Sequence, residues 1–95
     1  MARKSELPDF SIVWSRIADH ADESFLTKRG LEFTYEEAGG YIVPSRTRYR
    51  LSKGNFERAY KEVPFDGPGV VNATVRGPAY VWAILHDRRI RQGDW

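Results

Sequence analysis

The chain reads LEFTYEEAGGYIVPSRTRYRL from Leu31 to Leu51, and this stretch carries the strongest structural signal in the sequence. On both sides of Gly39-Gly40, apolar and polar residues alternate, which is typical of an antiparallel hairpin. Upstream, residues 25–28 also read as a strand, and the turn Arg29-Gly30 joins them to the strand that begins at Leu31. The three segments predict a three-stranded antiparallel meander.

The register of the second hairpin depends on the length of its loop. We expect a three-residue loop at residues 38–40, because it pairs Tyr35 with Val43 and keeps the apolar positions on one face. A two-residue loop pairs Tyr35 with Pro44 and puts the apolar residues of the two strands on opposite faces. Side chains alternate between two faces from Tyr41 to Leu51, so we expect one continuous third strand over residues 41–51.

Helical patterns lie on both sides of this predicted sheet. Apolar residues recur at helical spacing from Phe10 to Ala21, with Asp9 as the N-cap. Ser52 is a favourable N-cap for a second helix, on which Asn55 is expected to face water. Gly77-Pro78 begins a last helix that is apolar almost all round, so we expect it to be the most buried element.

These elements predict an α+β domain: an N-terminal helix, a three-stranded antiparallel β-meander, and two or three C-terminal helices packed on one face of the sheet. Ninety-five residues suffice for one core, so we expect a single domain over residues 1–95. Residues 1–8 are predicted to be a flexible leader. Residues 91–95 are predicted to be a flexible tail in which Trp95 is exposed. Residues 70–75 fit either a helical turn or an extended piece.

Composition excludes several classes of site and location. The chain has no cysteine, which excludes disulfides, thiolate zinc sites and cysteine nucleophiles. The longest apolar run, residues 79–85, is too short to span a bilayer, and the N-terminus lacks a signal-peptide profile. We therefore expect a cytoplasmic protein with no membrane partner.

The sequence contains none of the common catalytic motifs. It lacks the phosphate-binding loop, the dinucleotide-binding glycine motif, the HExxH metal motif and the GxSxG nucleophile motif. Its two histidines, His20 and His86, show no metal-ligand spacing. We therefore predict no catalytic residue, no metal and no cofactor. A phosphodiesterase that uses His86 as general base, beside the arginines that follow it, is the third-ranked hypothesis.

The positive charge is concentrated in residues 45–62, which hold six Lys or Arg against two Asp or Glu. On the predicted strand Arg46, Arg48 and Arg50 alternate along one face, with roots about 6.6 Å apart. Guanidinium groups match phosphate oxygens, so this row could follow a nucleic-acid backbone. The predicted nucleic-acid-binding residues are Arg46, Arg48, Arg50, Lys53, Arg58 and Lys61.

Two other interpretations of the basic segment stay open. In the predicted register Glu32 lies opposite Arg46, so cross-strand pairing could leave a solvated and partly neutralised face. An acidic protein could also bind the same residues. A helix-turn-helix is disfavoured, because residues 80–85 offer almost no polar side chain to base edges.

The functional prediction is a small non-catalytic binding module that contacts a nucleic-acid phosphate backbone. The main alternative is a protein–protein interaction module or accessory subunit, and the sequence leaves the oligomeric state open. We assign most of the aromatic residues to the core, because they fall on the apolar stripes. They are Trp14, Phe33, Tyr35, Tyr49, Phe56, Tyr60, Tyr80 and Trp82.

Overall fold

The computed structural model describes residues 7–95, and over these residues the predicted α+β architecture is confirmed. Most of the predicted leader, residues 1–6, lies outside the described residues. The elements are α1 (Phe10–Asp19), β1 (Phe25–Leu26), β2 (Glu32–Phe33), β3 (Tyr35–Glu37), β4 (Tyr41–Pro44), β5 (Leu51–Ser52), α2 (Lys53–Tyr60), a 3₁₀ helix (Pro68–Val71), α3 (Pro78–Leu85) and α4 (Arg88–Arg91).

The strands form two small antiparallel sheets, β1-β2 and β3-β4-β5. The first predicted hairpin is present, with Phe25 opposite Phe33. The strand that begins near Leu31 is interrupted at Thr34, whose backbone N–H donates to Ser45 Oγ (3.0 Å) and whose carbonyl accepts from Ser45 N (2.8 Å). This interruption places β2 in one sheet and β3 in the other, so the predicted meander is wrong in its strands: residues 25–26 belong to the two-stranded sheet, and the three-stranded meander consists of β3, β4 and β5.

The hairpin between β3 and β4 has a two-residue loop, so the predicted three-residue loop is wrong. Gly39 and Gly40 both have positive φ, +56° and +107°, and Ala38 N donates to Tyr41 O at 3.0 Å. Consecutive residues of positive φ suit the strand twist of a tight hairpin, and glycine adopts them without steric cost. Tyr35 accordingly lies opposite Pro44.

Strand β4 ends at Pro44, so the predicted continuous strand over residues 41–51 is also wrong. The carbonyl of Pro44 accepts a hydrogen bond from Thr47 N at 3.1 Å, which turns the chain away from the sheet. The chain returns at Leu51, which pairs with Ile42, and both side chains are fully buried. Residues 45–50, with their three arginines, form a loop, and the predicted straight row of guanidiniums does not exist.

The helices largely follow the sequence pattern. Helix α1 buries the predicted apolar stripe from Phe10 to Ile17 but ends at Asp19, before the partly buried Ala21. Ser52 caps α2 by accepting a hydrogen bond from Asn55 N at 3.1 Å. Helix α3 has no exposed residue, which no other helix in residues 7–95 shares, so its predicted burial is confirmed. Residues 70–71 complete the 3₁₀ helix, and a turn follows. No helix in the described range has the length and apolar character to cross a membrane.

Burial differs from prediction at several side chains, beginning with the register of β4, which buries Ile42 and leaves Val43 half-buried. Asn55, predicted to face water, is only 3% exposed, and Trp95, predicted to be exposed, is only 7% exposed. Trp95 Nε1 donates to the carbonyl of Leu85 at 2.8 Å, which anchors residue 95 to the core. Leu31 and Tyr49 were predicted to face the core but lie outside the strands, where they are 51% and 41% exposed.

Candidate functional site

A depression of about 290 Å³ lies at the first turn of α2. It contains two of the six predicted nucleic-acid-binding residues, Arg50 and Arg58. Arg76, from the segment before α3, provides a third guanidinium that the sequence analysis did not single out. We call this depression the arginine pocket. Its lining residues are Arg50, Ser52, Asn55, Arg58 and Arg76.

Asn55 joins two walls of the arginine pocket. Its Oδ1 accepts a hydrogen bond from Arg76 N at 2.8 Å, and its Nδ2 donates to Arg76 O at 2.9 Å. These paired bonds hold the backbone of residue 76 against the first turn of α2. The buried amide therefore fixes the point from which the Arg76 side chain projects.

Arg58 is fixed by two hydrogen bonds of its own. Its Nε donates to Thr74 O at 3.1 Å, and its Nη2 donates to Asn55 Oδ1 at 3.1 Å. The position of a hypothetical Cβ on Gly54 is 3.9 Å from Arg58 Nη1 and 4.0 Å from Ser52 Oγ. Arg58 Nη1 therefore lies over the first turn of α2, where the helix dipole is positive and backbone N–H groups lack intrahelical acceptors.

Arg50 and Arg76 each lie over an aromatic ring. The guanidinium carbon of Arg50 is 4.5 Å from the centroid of the Tyr41 ring, and that of Arg76 is 5.7 Å from the centroid of the Tyr49 ring. A cation–π contact uses the face of a guanidinium and leaves its N–H groups available in the plane. Tyr49 therefore contacts Arg76 of the arginine pocket and does not pack in the core.

No carboxylate in residues 7–95 lies within ion-pair distance of any of these three arginines. Other arginines are paired: Arg16 with Asp94 at 2.7 Å, and Arg89 with Asp87 at 2.8 Å. The lining of the pocket contains no acidic side chain either. The pocket is therefore a concentration of positive charge without a counter-ion among the described residues.

The other predicted basic residues are not part of the pocket lining. Arg46 Nε donates to the backbone carbonyl of Glu32 at 2.7 Å, and the Glu32 carboxylate accepts from the Ser24 hydroxyl. The ion pair between Glu32 and Arg46, one of the interpretations that the sequence left open, is absent from the described residues. Exposed Arg48 and Lys53 lie in the loop and at the start of α2, whereas Lys61 follows the other end of α2.

His86 lies in a second cleft, of about 390 Å³, between β1 and the α3–α4 region. Its Nε2 is 3.2 Å from Phe65 N and accepts that N–H, so Nδ1 carries the proton and donates to Trp82 O at 3.0 Å. Burial lowers the pKa of His86, which favours the neutral ring. With both ring nitrogens engaged, His86 lacks the open position that a general base requires.

The neighbours of His86 are also engaged with each other. Burial raises the pKa of Asp87, but the side-chain and backbone hydrogen bonds from Arg89 outweigh it, so the pKa is lowered overall. Arg89 also donates to Glu23 Oε1 at 2.9 Å and to Ser24 O at 2.7 Å. This network ties α4 to β1 and argues against the phosphodiesterase hypothesis.

Arg76 and Asn55 were not predicted as site residues from the sequence, for different reasons. Asn55 precedes Ala59 by four positions, so it shares a helix face with a buried residue, and that spacing was a usable signal. Arg76 was recognisable only as the residue before Gly77-Pro78, which does not indicate a partner 26 positions earlier at Arg50.

Three comparisons, with protein-family models, with curated proteins and with solved structures, gave no match. Residues 7–95 contain no group of three His, Asp or Glu side chains arranged to hold a metal ion.

Proposed function

We propose that this domain binds the phosphate backbone of nucleic acid through the arginine pocket. The supporting observation is that three arginines line one depression at a helix N-terminus, and that no carboxylate in residues 7–95 lies within ion-pair distance of them. Guanidiniums donate paired hydrogen bonds to phosphate oxygens, and the positive end of α2 adds to the attraction. Contacts of this kind position a nucleic acid but read little base sequence.

Residues near the pocket in the chain can extend the contact along a strand. Exposed Arg48 and Lys53 add charge on either side of Arg50. Tyr49, 41% exposed, offers an aromatic surface on which a base can stack. The combination favours single-stranded over double-stranded nucleic acid, because paired bases are not accessible for stacking.

The test is a fluorescence-anisotropy titration of a labelled single-stranded oligonucleotide at several salt concentrations. We expect log K to fall linearly with log salt, and Arg76→Gln to reduce the slope by about 0.7, the value for one lost contact with a single-strand phosphate. Arg50→Gln, in the exposed loop, should behave similarly.

Arg29→Gln is the matched control, because it removes the same charge from the β1–β2 turn, which does not contribute to the lining of the arginine pocket. It should leave the salt slope close to that of the wild type. Equal losses in Arg29→Gln and Arg76→Gln would indicate diffuse attraction and contradict a defined site. If the oligonucleotide does not bind even at low salt, the proposed function is wrong.

Self-association is the second candidate function. A groove of about 520 Å³ lies between the β1–β2 turn and the start of α3, and it includes the half-exposed side chain of Leu31 beside Pro68 and Tyr80. Exposed apolar surface of this kind often marks an interface. Sedimentation velocity tests it: concentration-dependent association that Leu31→Asp abolishes would support it, and a constant sedimentation coefficient would contradict it.

A further inference from the structure

We propose that the arginine pocket takes a terminal phosphate, the phosphomonoester at the end of a nucleic-acid strand, in preference to an internal phosphodiester. This inference rests on the proposed function and adds the class of group that the pocket accepts. It follows from three features of the pocket: its charge, the contacts that hold its donors, and the separate parts of the fold that supply them.

The charge of the pocket exceeds what an internal phosphate needs. An internal phosphodiester carries one negative charge, whereas a terminal monoester carries about −1.5 to −2 at neutral pH. Arg50, Arg58 and Arg76 contribute three positive charges, and the lining offers no carboxylate to offset them. A dianionic group therefore matches the pocket better than a monoanionic one.

The donors are held in place from separate parts of the fold. Arg58 is bonded to Thr74 O and Asn55 Oδ1, and its Nη1 lies at the first turn of α2. The backbone of Arg76 is held by two hydrogen bonds with Asn55, and Arg50, in the loop, lies over the Tyr41 ring. Donors fixed before binding lose little conformational entropy when a ligand arrives.

The placement of these residues favours a group with three unshared oxygens. The loop, α2 and the segment before α3 each contribute one arginine to the lining, so the donors come from three separate parts of the fold and not from one strand. An internal phosphate has two oxygens bonded to the continuing strand and only two unshared oxygens for donors. A terminal phosphate has three unshared oxygens and one link to the strand, so it can enter end-on.

The experiment compares one oligonucleotide sequence with three 5′ ends: a phosphate, a methyl-esterified phosphate and a hydroxyl. We expect the phosphate to bind about tenfold more tightly than the hydroxyl, a ratio typical of added charge-assisted hydrogen bonds. The methyl ester should bind at an intermediate level, because it retains the phosphorus but has one less charge and one less unshared oxygen. The same ends placed at the 3′ terminus show whether the pocket distinguishes the two termini.

Variants locate the preference in the pocket. Arg76→Gln and Arg50→Gln should reduce the ratio of phosphate to hydroxyl affinity towards one, whereas Arg29→Gln should keep it. Circular dichroism checks the fold of each variant, and Arg50→Gln provides the safer test because Arg50 lies in an exposed loop. A ratio that survives in the pocket variants would overturn the inference.

The remaining outcomes separate this inference from the proposed function. Equal affinity for all ends, weakened throughout by Arg76→Gln, would overturn terminal recognition and leave backbone binding standing. No binding of any oligonucleotide would overturn both. Competition by a mononucleoside 5′-monophosphate as effective as that by the phosphorylated oligonucleotide would also overturn the inference, because the ligand would then be a small phosphate ester. Much weaker competition would support recognition of a strand end.

Discussion

Asn55 is the side chain on which the geometry of the arginine pocket depends. It is buried, and it satisfies the backbone N–H and carbonyl of Arg76 while accepting from Arg58. A helical asparagine would ordinarily be assigned to the solvent side, as we predicted here. Asn55 can be buried on an apolar helix face because the Arg76 backbone satisfies its amide. The local sequence around Asn55 does not indicate this partner.

Asn55→Ala should therefore destabilise the fold and weaken nucleic-acid binding together. The variant leaves the Arg76 N–H, whose hydrogen bond is partly buried, without its acceptor, and an unsatisfied donor shielded from water costs about 1–3 kcal/mol. Urea unfolding measures this loss, and anisotropy measures the affinity. Asn72→Ala, at an exposed position, should change the free energy of unfolding by less than about 0.5 kcal/mol. Wild-type stability in Asn55→Ala would show that the hydrogen bonds between Asn55 and the Arg76 backbone do not stabilise the fold.

His86 should make stability depend on pH above the range in which carboxylates titrate. Burial holds the pKa of His86 below its ordinary value of 6.5, so the unfolded chain takes up a proton before the native state does. The free energy of unfolding should consequently fall as pH decreases below 6.5. Glu23 and Asp87, whose pKa values are lowered, add a separate loss in more acidic solution, below their ordinary values.

His86→Gln separates these contributions, because glutamine retains a donor and an acceptor but does not titrate. The variant should lose most of the pH dependence that lies between about pH 7 and pH 5 and keep the more acidic loss. Thermal unfolding over a series of buffers measures both. An unchanged dependence between about pH 7 and pH 5 would show that His86 is not its source.

The β3–β4 hairpin shows why helices were easier to predict than strands. An amphipathic helix has its periodic signal within one segment, so α1 and α2 could be placed from sequence. Strand register depends on the loop, and we judged it from face alternation, assuming that the strand continued to Leu51. Alternation does persist through residues 45–50, but the turn after Pro44 has already removed them from the sheet.

Gly40→Ala tests the observed loop. At φ +107° an L-residue is strained even though no atom lies within 4 Å of the new Cβ, so we expect a loss of about 1–2 kcal/mol. Gly69→Ala is the matched control, because Gly69 also has open space but no positive φ, and should change stability by less than about 0.5 kcal/mol. Thermal unfolding of both variants measures the difference. Equal melting temperatures would contradict the left-handed loop.

The arginine pocket forms only in the tertiary structure, so its full set of arginines could not be predicted from the sequence. Residues 45–62 were correctly identified as the basic segment, and two of its six cations do line the pocket. The third guanidinium comes from residue 76, and only the packing of α3 against α2 brings it to the same place. The sequence thus identified the basic segment, whereas the set of arginines that line one pocket depends on the tertiary structure.

The C-terminal residues show the same dependence on tertiary packing, since a polar tail was predicted where Trp95 is in fact buried. Its indole packs edge-on against Tyr60, with centroids 5.3 Å apart, and donates to Leu85 O.

Trp95→Ala removes a large buried side chain and leaves the Leu85 carbonyl without its donor, so the free energy of unfolding should fall by about 3–5 kcal/mol. Domains are typically stable by only about 5–15 kcal/mol, so the variant should unfold at much lower urea. Val70→Ala, at a side chain 57% exposed, is the control and should shift the midpoint little. If Trp95→Ala also shifts it little, residue 95 does not belong to the core.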